Sequence, residues 1–273
     1  MRTFCSVHTH SILCDGKNTL AEMAAAAFDA GAASFGASGH SHTPIPHDAG
    51  NVLPPDPAAY RAEVLRLREV YRGRMDVLLG VEQDSCADGP VPDWADYWIG
   101  SVHNLPGPGG AYCAVDWDVS RFQAAVEALS PGDVLGLAER YYDAVAETAR
   151  QKPTILGHID LVTKFNEGGR FFDEAAPRYR AAALAALRAA DPAATLLEVN
   201  TGAMSRGWRT SPYPALFLLK AWRDMGGRII LTADAHSAET IVYGYGQAAE
   251  LAEAAGFDRA AVLTAGGIVE QPL

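Results

Sequence analysis

Short apolar strands alternating with amphipathic helices predict an α/β fold, with a parallel sheet curled into a barrel. Three observations carry that reading. Seven apolar runs have strand length, helical stretches with Gly or Pro punctuation separate most of them, and no linker, low-complexity run or sequence repeat interrupts the 273 residues. Seven or eight βα units at this length fit a closed ring better than an open sheet, so one domain over 1–273 is expected.

The first run, "TFCSVHTH" (3–10), ends in two histidines one residue apart, which share a face of an extended strand. "TLAEMAAAAFDAGA" (19–32) follows, with Thr19 and Glu22 spaced as a capping box and a glycine near its end. "SFGASGH" (34–40) is the second strand, "DPAAYRAEVLRLREVYRG" (56–73) the next helix and "VLLGVEQ" (77–83) the third strand. "YWIGSVH" (97–103) is the fourth, "VLGLAERYYDAVAETARQ" (134–151) a helix and "TILGHID" (154–160) the fifth strand. The helix "EAAPRYRAAALAALRAAD" (174–191) precedes the sixth strand, "LLEVN" (196–200). "YPALFLLKAWRDMGG" (213–227) leads to the seventh, "RIILTADAH" (228–236). "SAETIVYGYGQAAELAEAAG" (237–256) is the last helix, and "GGIVEQPL" near the C-terminus is a candidate eighth strand.

Composition narrows the function. The net charge of −11 argues against a general binder of nucleic acid or anionic membrane. No run of about twenty apolar residues is present to span a bilayer. The opening residues lack a basic, apolar and cleavable leader pattern. Cys5, Cys14, Cys86 and Cys113 show neither CxxC pairing nor disulfide-scaffold density. A cytoplasmic location with reduced thiols is the expectation.

Six of the eight histidines fall at or near predicted strand ends: His8, His10, His40, His103, His158 and His236. The third strand adds Glu82, the sixth Asn200 and the seventh Asp234. In a parallel barrel every strand opens on one C-terminal face, so these groups are aimed at a common point. A lone strand-end histidine is most often a hydrogen-bonded core residue, but six of eight is hard to reach by coincidence. Imidazole with carboxylate suits zinc, manganese or iron, and the donors outnumber one ion's needs. A polynuclear metal site is expected.

These motifs, in order, are "HTHSILCDG", "GHS" at 39–41, "GVE" at 80–82, "SVHN" at 101–104, "LGHID" at 156–160 and "ADAH" at 233–236. Together they resemble the polymerase and histidinol phosphatase (PHP) superfamily over essentially the whole chain. The resemblance implies a distorted seven-stranded (β/α)7 barrel with three divalent metal ions. It implies one ion on His8, His10, Glu82 and Asp234, a second on the bridging Glu82 with His103 and His158, and a third on Asp15, His40 and His236. Asp15, Glu82, Asp234 and His236 would thereby carry catalysis.

Within the superfamily the chain is similar to the histidinol-phosphate phosphatases, through "GHIDLVTKF" and "LEVNTG…SR". That likeness implies phosphate-binding roles for Lys164 and Arg206. Gly39 stands where the family more often has an acidic residue, and His42 and His47 are additional. His42 is a candidate substrate or leaving-group contact; His47 reads as a solvated loop residue.

The reaction implied is hydrolysis of a phosphomonoester, L-histidinol phosphate, with water activated at the ions. Acidic or hydroxyl groups such as Asp48, Tyr112 and Asp116 are candidates for the substrate's cationic end. Two alternatives stay open: another phosphate ester (sugar, nucleotide or phosphotyrosine), or a non-catalytic metal-binding module.

Overall fold

The computed structural model describes residues 3–273. β1 (Cys5–Ser6) leads through α1 (Leu20–Asp29) to β2 (Ser34–Ala37), and α2 (Ala58–Val70) leads on to β3 (Asp76–Asp84). After β4 (Tyr97–Ser101), a hairpin of β5 (Asn104–Pro106) and β6 (Tyr112–Ala114) precedes α3 (Val119–Leu129) and α4 (Val134–Arg150). Then come β7 (Ile155–Leu156), α5 (Pro177–Arg188), β8 (Leu196–Asn200) and the one-turn α6 (Gly202–Ser205). α7 (Leu216–Asp224), β9 (Arg228–Thr232), α8 (Tyr245–Ala255), β10 (Arg259–Thr264) and β11 (Gly267–Pro272) follow. Among the described residues no helix is long and apolar enough to cross a membrane.

Seven strands run parallel in the order β1-β2-β3-β4-β7-β8-β9. The ring closes at its mouth, where Thr9 pairs with Ala235 beyond the ends of β1 and β9. At the opposite end β10 joins β9 through Ala261 and Ile230, and the Ser34 hydroxyl donates to the Leu263 carbonyl. The expected seven-stranded, distorted barrel is what forms.

The eighth run is corrected. β11 pairs antiparallel with β10, a strand the sequence reading passed over, and stands outside the parallel ring. α3 was also not expected; Asp118 caps it by accepting from the Arg121 amide at 2.8 Å. β1, β7 and β9 are shorter than their apolar runs, because the chain leaves the ladder to deliver polar groups. β9 stops before Asp234, whose φ of 48° breaks the extended backbone. Thr19 and Glu22 form the expected capping box on α1.

Alternate residues of a strand share a face, and here those sets change character along the chain. Leu78 precedes Glu82 on β3, Tyr97 and Ile99 precede Ser101 on β4, Leu196 precedes Glu198 and Asn200 on β8, and Ile230 precedes Thr232 on β9. The apolar members pack together with Cys5, Val7 and Ile155 as a buried plug. Gly36 and Gly80 make room for the Tyr97 side chain, since a Cβ on the first would sit 2.3 Å from its hydroxyl oxygen and one on the second 2.3 Å from its ring. The Tyr97 hydroxyl then donates to the Val7 carbonyl at 2.5 Å, fastening β4 across the plug to the first strand. The polar members stand above this floor.

Candidate metal centre

The first strand and its turn supply three donors. His8 and His10 flank the Thr9–Ala235 bridge, with the Ala235 amide donating to the His8 carbonyl at 3.0 Å and the His10 amide to the Ala235 carbonyl at 2.9 Å. The chain then folds back so that the Gly16 amide reaches the Ser11 carbonyl at 2.9 Å. A Cβ on Gly16 would lie 2.5 Å from the Ser11 nitrogen, so only glycine permits the turn that brings Asp15 inward.

Glu82 is the hub. His8 Nε2 and His10 Nε2 lie 3.3 and 3.4 Å from its Oε2, and both lie near Asp234 Oδ1, at 3.6 and 3.4 Å. On the other oxygen, Oε1, His103 Nε2 lies at 3.4 Å and His158 Nε2 at 2.9 Å, and the Ser101 hydroxyl donates at 2.7 Å. His40 Nδ1 is 2.9 Å from Oε2, while its Nε2 is 3.5 Å from Asp15 Oδ2. His236 Nε2 is 3.0 Å from that same Asp15 oxygen, and His10 Nδ1 is 3.4 Å from Asp15 Oδ1. All nine residues expected as ligands therefore stand together, in four overlapping groups whose donor atoms lie within 4.8 Å of one another.

The chemistry of this set calls for cations. His8 Nε2, His10 Nε2, Asp15 Oδ1, Glu82 Oε2 and His158 Nδ1 are buried without any hydrogen-bond partner. Buried polar atoms are rarely left so, because each costs free energy. An ion with ligand bonds of about 2.0–2.1 Å separates tetrahedral donors by about 3.3–3.4 Å. The Nε2 atoms of His8 and His10 each stand 3.3–3.6 Å from the Glu82 and Asp234 oxygens. The donors fit divalent metal.

Protonation agrees. Burial first, then like charge on His236 and His40, pushes His10 down to about 3, leaving a neutral imidazole. At His103 burial opposes charging, but Glu82 and Asp84 outweigh it and lift the ring to about 10. Burial also works against charge on Glu82, Asp15 and Asp234, yet neighbouring imidazoles and, for Asp234, Arg206 above all hold these carboxyls well below their usual range. Positive charge is what the cluster demands.

A hollow of about 300 Å³ opens above the donors, lined among others by Asp48, Asp84, Asp116, Trp117, Lys164 and Arg206. Arg206 Nη2 donates to Asp234 Oδ2 at 2.9 Å, and Nη1 lies 3.0 Å from His236 Nδ1. Gly202 allows this, since a Cβ there would sit 2.5 Å from Asp234 Oδ2 and 2.8 Å from Arg206 Nη2. Lys164 Nζ donates to the Asp116 carboxylate and carbonyl at 3.0 and 2.6 Å. The two expected phosphate-binding cations are therefore on its wall. His42 is not: its Nδ1 is 2.8 Å from Asp88 Oδ2, and it lines a neighbouring depression with Leu53 and Trp94. His47 stands behind the wall, its Nε2 3.0 Å from Asn104 Oδ1 and its ring edge-on to Trp117. Asp48 and Asp116 line the hollow; Tyr112 is not among its lining residues.

Sequence reasoning missed the groups that hold the donors in place. Asp84 Oδ2 accepts from His103 Nδ1 at 2.9 Å and from its amide at 3.0 Å. Glu198 accepts from His8 Nδ1 at 2.5 Å. Asn200, expected to point into the site, instead donates to Glu198 at 3.0 Å and accepts from the Gly202 amide at 2.8 Å. The signal was present in strand alternation: Asp84 shares a face with Glu82, and Glu198 with Asn200.

Cation-demanding donors at a barrel mouth, with a lysine and an arginine beside them, define a metal-dependent phosphoesterase class of enzyme. No family model matches the chain. A probable histidinol-phosphatase of Deinococcus radiodurans is 33% identical over 254 residues, covering 86% of this chain and 87% of that protein. A histidinol-phosphatase of Bacillus subtilis is 26% identical over 265 residues, covering 87% and 95%. The chain belongs to the histidinol-phosphatase family of PHP type. The hisK protein of Listeria monocytogenes has the same fold, with a TM-score of 0.75 at 16% identity over 89% of this chain and 98% of that one. So has histidinol phosphate phosphatase of Lactococcus lactis, solved with zinc, L-histidinol and phosphate, at 0.69 and 19% over 98% and 99%.

Proposed function

We propose that this protein is a metal-dependent histidinol phosphatase, hydrolysing L-histidinol phosphate to L-histidinol and phosphate in histidine biosynthesis in the cytoplasm. The observation that carries the reading is the convergence of orphaned imidazole and carboxylate atoms beside a hollow walled by Lys164 and Arg206. One barrel domain supplies every ligand. We assign His8, His10, Glu82 and Asp234 to one ion, Glu82, His103 and His158 to a second, and Asp15, His40 and His236 to a third. Zinc, manganese or iron held by these residues would supply a water of lowered pKa and positive charge for the phosphate oxygens.

The chain's own groups position the ester. Arg206 presents a planar fork suited to two phosphate oxygens, and Lys164 a compact charge. The imidazole and ammonium of the substrate need acceptors. Asp48 is the better placed: its Oδ2 already accepts the Thr43 hydroxyl at 2.8 Å, whereas Oδ1 has only His47 Nε2, at 3.7 Å. Asp116 is committed to Lys164.

Phosphate release across a substrate panel tests the assignment. The specificity constant for L-histidinol phosphate should exceed those for p-nitrophenyl phosphate and sugar phosphates by about 100-fold, because a site built for hydrogen bonding rejects analogues that leave its groups unpaired. Preference for another ester by that margin would leave the metal centre standing and remove the histidinol assignment.

A further inference from the structure

Glu198 lies fully buried on β8, behind the metal-facing donors. Its two oxygens have different partners. Oε1 accepts from His8 Nδ1 at 2.5 Å and from the Thr232 hydroxyl at 2.7 Å. Oε2 accepts from the His158 backbone amide at 2.6 Å and from Asn200 Nδ2 at 3.0 Å. The carboxylate thus joins the first strand, β8, β9 and the segment after β7. Through Asn200 Oδ1 and the Gly202 amide, 2.8 Å apart, it also reaches the turn that carries Arg206.

We infer that Glu198 is a positioning residue that fixes the His8 tautomer, keeping the proton on Nδ1 so that Nε2 presents its lone pair to metal. The inference rests on the assignment of His8 as a ligand. An ionised carboxylate can only accept, so its neighbour must carry hydrogen on Nδ1. A neutral imidazole has one such hydrogen, so Nε2 is left bare. His8 Nε2 is the atom found buried without a partner and 3.3 Å from Glu82 Oε2. Carboxylates behind metal-bound histidines act in this manner generally.

The geometry makes an uncommon variant informative. In Glu198→Gln one oxygen becomes an amide NH2. That NH2 cannot face the His158 backbone N–H, which is a fixed donor, so the amide oxygen must take the Oε2 place. The NH2 then faces His8 and Thr232. The Thr232 hydroxyl can rotate to accept, but His8 can accept only by moving its proton to Nε2, which removes the ligand lone pair. A substitution of one atom type should therefore act on metal binding with little change in packing.

Zinc affinity measured by competition with a chromophoric chelator tests this in four full-length proteins. Glu198→Gln should weaken its tightest lost zinc by about 10- to 100-fold relative to wild type. Thr232→Val removes the other Oε1 donor without touching His8, and should leave affinity within about 2-fold, well below that range. Equal losses in both variants, or no loss in Glu198→Gln, would overturn the inference. His8→Gln should lose zinc too; if it keeps the full complement, the ligand assignment itself is wrong. If Glu198→Gln does not fold, nitrogen-15 NMR of metal-free wild-type protein, at a pH where the His8 ring is neutral, decides: a proton on His8 Nδ1 supports the inference and one on Nε2 overturns it.

Discussion

Glu82 and Asp160 are buried to the same degree, each about 1% exposed, yet they serve opposite ends. Asp160 Oδ1 accepts the hydroxyls of Tyr142 and Tyr179, the latter at 2.6 Å, and Oδ2 accepts the Ala215 amide at 3.0 Å. Every partner is neutral, and burial raises its pKa despite them. Glu82 is surrounded by His8, His10, His40, His103 and His158, keeps Oε2 without a hydrogen bond, and is held well below the usual carboxyl range. Burial alone does not mark a functional carboxylate. Neutral donors that saturate both oxygens make a structural knot; ligand atoms left short of hydrogen make a cation site.

Breaking the hub should give the larger effect. Glu82→Gln removes the charge shared by two donor groups, and turnover should fall by about 1,000-fold or more, equivalent to about 4 kcal/mol. Elemental analysis should show the loss of more than one ion per chain. A normal metal complement with near-normal turnover would refute the bridging assignment. The opposite knot should fail differently. Asp160→Ala orphans three donors at about 1–3 kcal/mol each, so a loss of about 3 kcal/mol or more is expected in denaturant unfolding. Zinc content of the folded fraction should not change.

An intermediate case lies where backbone meets a proposed ligand. Gly202→Ala places a Cβ within 2.9 Å of Asp234 Cβ as well as against its carboxylate and the Arg206 guanidinium. Asp234 is already in a left-handed conformation at φ 48°, with little freedom to yield. A misplacement of about 1 Å at a reacting group is enough to cost about 100-fold in rate. The loss should appear in kcat/KM while the circular dichroism spectrum stays that of wild type.

The sequence made the donors legible and their supports much less so. His8, His10 and His40 could be placed because short strands with polar ends repeat in one orientation, and a parallel ring sends all such ends to one face. The fold-level inference and the site-level inference were therefore the same. Glu198 and Asp84 lie on strand faces that anyone counting by twos would reach, but a buried carboxylate becomes a support only when its partners are known. His8, His158, Thr232 and Asn200 come from four separate segments of chain, 2 to 190 residues from Glu198. β11 was misjudged for a related reason: local apolar content cannot tell a parallel ring strand from an antiparallel return, and its partner β10 carries too short an apolar run to be marked. His42 shows the reverse limit. Two residues from the proposed ligand His40 in sequence, it faces Asp88 because the backbone at Ser41 pairs with Glu82 and the next side chain turns outward.

The smallest effect sharpens the contrast through pH. Asp160 has a folded-state pKa above its unfolded value of about 3.9. The folded form therefore binds the proton more tightly than the unfolded chain. The resulting stability is fully present below the unfolded pKa and is lost as pH rises through the folded one. Glu82 has the reverse sign: its contribution is present above the usual glutamate range and is lost as pH falls through its depressed value. In Asp160→Asn the first dependence disappears while the second remains. Thermal melts of wild type and variant from pH 4 upward should then show a difference in Tm that moves in the variant's favour with rising pH and levels off once Asp160 has ionised. A constant difference across that range would mean that Asp160 titrates alike in both states, its tyrosine and amide donors just cancelling the effect of burial.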